Sequence, residues 1–258
     1  MRYGLIGEKL GHSYSKIIHE KLADYTYDLI PLTREEFVPF MEKKDFTAIN
    51  VTIPYKQAVI PYLDELHPLA KEIGAVNTIV NKNGHYIGYN TDFYGFRYML
   101  IHNQIDVSGK KCLILGTGGT SHTVQSVLKH LGASEIFIVS RSDKNDTIIS
   151  YERCYKEHSD AKIIINTTPV GMYPNMDASP LDLTTFTLCE GVVDAIFNPL
   201  DTKLTLQAKE LNIKGVTGLE MLVAQAKQAI EYFLDKELDD ELIEQTYQEL
   251  LEIIQQKK

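Results

Sequence analysis

The sequence predicts an α/β fold in two domains, and three observations carry that reading. Strand-like and helix-like patterns alternate from end to end, the signature of parallel α/β architecture. A chain of 258 residues fits two average domains better than one. Near its middle, an apolar run breaks into Gly116-Thr117-Gly118-Gly119-Thr120 and a helical pattern follows, so a second strand–loop–helix unit opens there.

Tyr3 to Ile6 is expected as a first strand, Ser15 to Leu22 as a helix and Tyr27 to Leu32 as a second strand. Thr33-Arg34-Glu35-Glu36 has the form of a capping box and opens a helix to about Lys43. Ala48 to Val51 is a third strand, and Pro61 to Ile73 holds a short helix ended by Gly74. Asn77 to Val80 and His85 to Tyr89 flank Asn83-Gly84, a tight-hairpin signal. A helical pattern runs from Asp92 to about His102, and a polar stretch follows. The boundaries expected are therefore residues 1–105 for the first domain and 106–218 for the second, with 219–258 as C-terminal helices. Within the second domain, Lys111 to Leu115, Glu135 to Val139, Lys162 to Asn166, Gly191 to Ala195 and Ile213 to Val216 are expected strands. Ile243, Tyr247, Leu250 and Ile254 form one apolar stripe near the end.

Composition removes several classes of function. The net charge is −9 and the isoelectric point is near 5.4, whereas nucleic acid and anionic membranes both require clustered positive charge. No segment approaches the ~20 apolar residues that span a bilayer. Cys112, Cys154 and Cys189 have no C-x-x-C spacing and an odd total, so a reducing cytoplasm is expected. The eight histidines contain no H-E-x-x-H pattern, and no metal site is expected.

Glycines after a strand let backbone N–H groups approach a pyrophosphate at the positive end of the next helix. Gly116, Gly118 and Gly119 supply that turn, although Ser121 stands where G-x-G-x-x-G has its third glycine. The next strand ends in Ser140-Arg141-Ser142, the position that reads the adenosine ribose. Arginine there suits a 2′-phosphate and acidic residues a 2′-hydroxyl, so a Rossmann-type unit binding NADP(H) is expected, with Asp143 opposing the preference.

Two polar motifs precede that unit: Asn50-Val51-Thr52-Ile53-Pro54-Tyr55-Lys56 and Gly88-Tyr89-Asn90-Thr91-Asp92. Each ends in an ionisable residue behind hydroxyl and amide groups able to grip a polyol. A Lys/Asp pair ahead of a dinucleotide loop reads as a dehydrogenase whose substrate domain comes first. Asp92 also stands where a helix begins, so capping is its structural alternative. The pair Ser13 and Ser15 has the same alternative before its own helix, and His12 is more simply a packed histidine.

With these residues assembled, the chain resembles the shikimate dehydrogenase family along nearly its whole length. The resemblance rests on Gly11-His12-Ser13-Tyr14-Ser15, the two polar motifs, Gly74-Ala75-Val76-Asn77-Thr78 and the glycine loop. Asn166-Thr167-Thr168-Pro169-Val170-Gly171-Met172 and Gly218-Leu219-Glu220-Met221-Leu222-Val223-Ala224-Gln225 complete it. It implies reversible reduction of 3-dehydroshikimate to shikimate in aromatic amino-acid biosynthesis, with NADP(H) as cofactor, in the cytoplasm, by a monomer or homodimer. It also implies a C-terminal helix returning to the first domain. Lys56 and Asp92 become the catalytic pair, and Ser13 and Ser15 the carboxylate-binding hydroxyls. Thr52, Asn77 and Gln225 bind ring hydroxyls. Gly116, Gly118, Gly119, Ser140 and Arg141 hold the cofactor's phosphates and ribose, and Thr167, Gly218 and Met221 line the nicotinamide side.

Five positions depart from the family pattern. Lys16 replaces the usual proline, Glu20 the usual asparagine, and Ser140 and Ser142 the Asn and Thr of an Asn-Arg-Thr ribose motif. Phe197 replaces a tyrosine, removing a polar contact worth ~0.5–1.5 kcal/mol. The alternatives are a quinate/shikimate dehydrogenase using NAD and a non-catalytic metabolite sensor of the same fold; intact Lys56 and Asp92 argue against the sensor.

Overall fold

The computed structural model describes residues 2–11 and 13–256; His12 lies outside them. Two compact units divide the chain, Met1–Gly95 with Leu222–Lys258 and Phe96–Met221.

The first unit runs β1 (Tyr3–Gly7), α1 (Ser15–Leu22), β2 (Tyr27–Pro31), α2 (Arg34–Lys43), β3 (Ala48–Val51), β4 (Glu65–Leu66), α3 (Pro68–Ile73), β5 (Thr78–Lys82) and β6 (His85–Tyr89). The sheet order is β2-β1-β3-β5-β6-β4. β1 lies parallel to β2 and β3, whereas β5 is antiparallel to both β3 and β6. The sheet is therefore mixed: β1, β2 and β3 pair in parallel, and the hairpin expected at Asn83-Gly84 brings in the antiparallel pairing. The Asn83-Gly84 hairpin is present, with both central residues at positive φ as a type I′ turn requires. So is the capping box of α2: Thr33 Oγ1 accepts the Glu36 N–H, and Glu36 Oε2 accepts the Thr33 N–H. The short helix expected within 61–73 and ended by Gly74 is α3, with Gly74 left-handed at its C-cap; a 3-10 turn at Ile60–Tyr62 and the short β4 precede it. Pro68 suits the start of α3, because the N–H it lacks would have no partner in a helix's first turn.

One face of this sheet packs Ile6, Ile49 and Val51 against Phe37, Met41 and Tyr55. The other packs Tyr3, Leu5, Tyr27 and Ala48 against Ala229 and Phe233, from the C-terminal helix α8 (Leu219–Leu234). Asp235 at φ 51 ends α8, and α9 (Glu241–Gln256) follows, so the helical C-terminal stretch is two helices. On α9 the buried residues are Ile243, Thr246, Leu250 and Ile254, with Thr246 in the place expected for Tyr247.

α4 (Asp92–His102) carries the chain across the division at Gly95, and α8 does so again at Met221. The units thus divide inside continuous helices, which no composition shift marks; the boundaries expected at 105 and 218 were placed at loops.

The second unit contains β7 (Lys111–Leu115), α5 (Gly119–His130), β8 (Glu135–Ser140), β9 (Ile148–Ser150), α6 (Tyr151–Glu157), β10 (Ile163–Asn166), β11 (Gly191–Asp194), α7 (Lys203–Glu210) and β12 (Lys214–Thr217). Its strands are all parallel in the order β9-β8-β7-β10-β11-β12. Counted within the unit, that is 3-2-1-4-5-6, the doubly wound dinucleotide-binding order. β9, α6 and α7 were not anticipated. Each helix is short and starts at a side-chain cap, Ser150 for α6 and Thr202 for α7.

Candidate functional site

In a doubly wound sheet the binding crevice lies at the carboxyl ends of the strands where the order reverses. Here that point lies between β7 and β10. Gly116 follows β7 with φ +103, and a Cβ on it would meet Thr168 Cγ2 at 2.9 Å and Thr167 Oγ1 at 3.1 Å. Thr167 underlies the loop, its hydroxyl donating to the Leu115 carbonyl at 2.7 Å. Gly118 and Gly119 are different. Nothing lies within 4 Å of a Cβ placed on either, so the fold does not require them. They leave open the N-terminus of α5, where backbone N–H groups and the helix dipole favour an anion. Ser140, at the end of β8, donates through its hydroxyl to the Ser142 carbonyl at 2.6 Å. Arg141 beside it is exposed and has no ion-pair partner among the described residues. Asp143 turns its carboxylate to the Ser150 N–H at 2.8 Å, and that bond holds its pKa below the usual range.

Gly218 is required by close approach, since a Cβ there would lie 2.2 Å from the Ala195 carbonyl oxygen. Met221 is buried on α8. Phe197 is half-buried in the loop after β11. That loop is tied to Asp194, which sequence inspection missed. Its Oδ1 accepts from Asn166 Nδ2 and the Ile196 N–H, both at 3.0 Å, and its Oδ2 accepts the Thr202 hydroxyl at 2.8 Å. Burial pushes this carboxyl up to about 6.

All seven residues expected at the substrate lie in the first unit. Lys56 Nζ and Asp92 Oδ2 are 2.5 Å apart, with side chains 20% and 13% exposed. Lys56 is held by its neighbours: the Tyr55 ring stacks on Phe37 at 4.3 Å and its hydroxyl donates to the Leu32 carbonyl. The Lys56 carbonyl accepts the Val76 N–H at 2.8 Å. Asp92 is the first residue of α4, yet the capping contact belongs to Asn90, whose Oδ1 accepts the Phe93 N–H at 3.2 Å. The Asp92 carboxylate is thereby left to Lys56.

Asn77 and Gln225 meet through Thr91. Asn77 Nδ2 donates to the Thr91 hydroxyl at 3.0 Å, and that hydroxyl lies 3.3 Å from Gln225 Oε1. Behind them the Asn50 amide donates to the Thr78 hydroxyl at 3.0 Å and accepts the Tyr27 phenol proton at 2.7 Å. Thr91 and Asn50 were passed over as site residues, although both lie inside the polar motifs. Ser13 Oγ accepts the Ser15 N–H at 3.2 Å, a turn contact that leaves its own proton available. Ser15 is buried at the start of α1, and Thr52 is half-buried just beyond β3.

The chemistry of the two residue sets is complementary. The first presents hydroxyls, amides and a Lys/Asp pair, suited to a polyhydroxylated acid. The second presents an open glycine loop and an exposed arginine, suited to a phosphorylated dinucleotide. Among the described residues, no helix is long and apolar enough to cross a membrane.

The chain is similar to known proteins along nearly its whole length. The shikimate dehydrogenase substrate binding domain matches residues 5–79. A shikimate dehydrogenase (NADP(+)) of Clostridium beijerinckii is 39% identical, over 95% of this chain and 96% of that protein. Among solved structures, a chorismate mutase/shikimate 5-dehydrogenase fusion protein from Clostridium acetobutylicum aligns with a TM-score of 0.91 at 36% identity, covering 98% of both chains. Shikimate 5-dehydrogenase from Thermus thermophilus, in complex with NADP(H) and shikimate, aligns with a TM-score of 0.85 at 27% identity, covering 96% of this chain and 99% of that one.

Proposed function

The chain belongs to the shikimate dehydrogenase family, and we propose that it catalyses the NADP-dependent, reversible reduction of 3-dehydroshikimate to shikimate in the cytoplasm. The observation that carries this reading is the Lys56–Asp92 pair at 2.5 Å, in the same unit as the Asn77–Thr91–Gln225 network. The unit built from Met1–Gly95 and Leu222–Lys258 takes the substrate, and Phe96–Met221 takes the cofactor.

Ser13 and Ser15 donate hydroxyl hydrogen bonds to the substrate carboxylate, and the N-terminus of α1 favours its charge. Thr52, Asn77 and Gln225 hold the ring hydroxyls. The residues of the second unit fit a dinucleotide: the open loop at Gly118 and Gly119 admits the pyrophosphate, and Arg141 pairs with the 2′-phosphate. When bound, NADPH supplies the hydride. As the substrate's carbonyl carbon is reduced, negative charge develops on its oxygen, and the Lys56 ammonium donates the proton that neutralises it. In oxidation the uncharged Lys56 amine removes the hydroxyl proton. Asp92 orients Lys56 and accepts a hydrogen bond from the substrate hydroxyl.

Initial rates for four pairs, shikimate or quinate with NADP or NAD, test the reading. Shikimate with NADP should give the highest kcat/KM, and activity should survive a chelator. No turnover of either acid would sink the enzyme assignment, and a preference for quinate with NAD would move the chain to the quinate branch.

A further inference from the structure

Two of the departures from the family pattern, Lys16 and Glu20, meet at one strand. β2 is the edge strand of the first sheet, so the outward backbone groups of Tyr27 have no neighbouring strand to pair with. Glu20 Oε1 accepts the Tyr27 N–H at 2.9 Å, and Lys16 Nζ donates to the Tyr27 carbonyl at 2.7 Å. The two side chains are themselves paired at 2.5 Å, one turn apart on α1. The Glu20 carboxyl is held below its usual pKa first by Lys16 and then by the Tyr27 N–H.

One carboxylate cannot serve both backbone groups, because it only accepts. A carboxylamide can, with its oxygen on the N–H and its nitrogen on the carbonyl. Lys16 and Glu20 divide those roles between two residues four apart. We propose that they act together as a split amide that sets the register of α1 on β2, and are positioning residues for Ser13 and Ser15. This rests on the reading of those serines as the carboxylate site.

The packing beneath shows why the register needs fixing. On the same helix His19 is buried and stacks on the Tyr27 ring at 4.0 Å, 17° from parallel, with its Nδ1 bonded to the Tyr25 hydroxyl at 2.7 Å. Ring stacking is favourable over a range of offsets, so it does not by itself fix the position of α1 along β2. Two directional bonds on the Tyr27 backbone do. Lys16 adjoins Ser15, so axial drift of α1 carries both serine hydroxyls with it. The same tyrosine continues inward through its phenol to Asn50 and the Asn77 cluster, which gives both arms of the substrate site one reference point.

The test uses Lys16→Ala, Glu20→Ala and the double variant Lys16→Ala/Glu20→Asn in the full chain. Lys16→Ala should raise KM for shikimate roughly three- to fivefold, the effect of one partly exposed charged contact, with kcat and the KM for NADP unchanged. The double variant should restore the shikimate KM to near wild type, because the amide introduced by Glu20→Asn both accepts from and donates to the Tyr27 backbone. Hydrogen exchange reads the clamp directly: the Tyr27 amide should lose protection in Glu20→Ala and regain it in the double variant. A double variant that recovers thermal stability but not KM overturns the proposal, and so does Tyr27 protection that ignores Glu20. Ser13→Ala distinguishes the premise. If it leaves KM unchanged while Tyr27 exchange behaves as expected, the serine assignment fails and the clamp stands.

Discussion

The Thr91 N–H donates to Asn77 Oδ1 at 2.7 Å, and Asn77 Nδ2 donates back to the Thr91 hydroxyl at 3.0 Å. This reciprocal pair fixes which way the Asn77 amide faces. Thr91→Val keeps the shape but takes away the acceptor for a buried N–H, a loss of about 1–3 kcal/mol. Urea unfolding should show that loss, and KM for shikimate should rise while Thr91→Ser stays near wild type. A valine variant of unchanged stability would show that Asn77 is oriented by other groups.

Lys56→Ala should lower kcat by roughly 10²–10⁴-fold with a smaller change in KM, since a proton donor acts mainly in the transition state. Steady-state rates with shikimate and NADP check this. Near-normal kcat would remove Lys56 from the proton step.

Arg141→Ala should erase most of the preference for NADP. A charge-assisted contact of ~1.5–3 kcal/mol corresponds to roughly ten- to a hundredfold in kcat/KM. Asp143 adds negative charge nearby, although Ser150 engages it, so the lower part of that range is expected. Equal kcat/KM for NADP and NAD in the wild-type enzyme would refute the assignment.

Gly119→Ala separates structural from ligand-binding use of the loop. Space around that Cβ is open, and alanine in place of a helical glycine adds about 0.5–1 kcal/mol of stability. The thermal midpoint should therefore hold or rise while the KM for NADP rises. A lower midpoint with unchanged NADP affinity would mean that the glycine serves the fold alone.

Asp194 gives a pH signature of known sign. Its carboxyl titrates near 6 in the native unit and near 3.8 without burial. The native state keeps the proton longer, so this contribution to stability is complete below pH 3.8 and is lost as pH rises through 6. Wild type minus Asp194→Asn should favour wild type by on the order of 2 kcal/mol more at pH 4 than at pH 7. A difference that stays flat with pH would contradict the burial argument.

Much of this was legible in the residues. The hairpin at Asn83-Gly84 and the box at Thr33 are local chemistry, complete within four residues. Lys56 and Asp92 stood out because each closes a polar motif. The partners that aim them did not. Thr91 and Asn50 act through bonds to residues far along the chain, and a hydroxyl or amide looks the same whether it faces solvent or a buried neighbour. Asn90 shows the converse, since position alone leaves capping open to Asp92, and only the fold gives that contact to Asn90 and the Asp92 carboxylate to Lys56. Strand direction in the first sheet is likewise set by which edges pair, and no period in the sequence records it. The roles of Lys16 and Glu20 became readable only once the Tyr27 backbone lay between them.

The first unit is discontinuous, and that has a consequence for how the chain is made. Tyr3, Leu5 and Tyr27 are covered by Ala229 and Phe233, which leave the ribosome some two hundred residues later. Until then that apolar face of the sheet has no lid, whereas 96–221 is one unbroken stretch carrying its own sheet and core. During vectorial synthesis the inserted unit can finish folding first, and the amino-terminal sheet must wait for the carboxyl-terminal helix. Truncation after Met221 should therefore leave Phe96–Met221 resistant to protease while the residues ahead of it are digested.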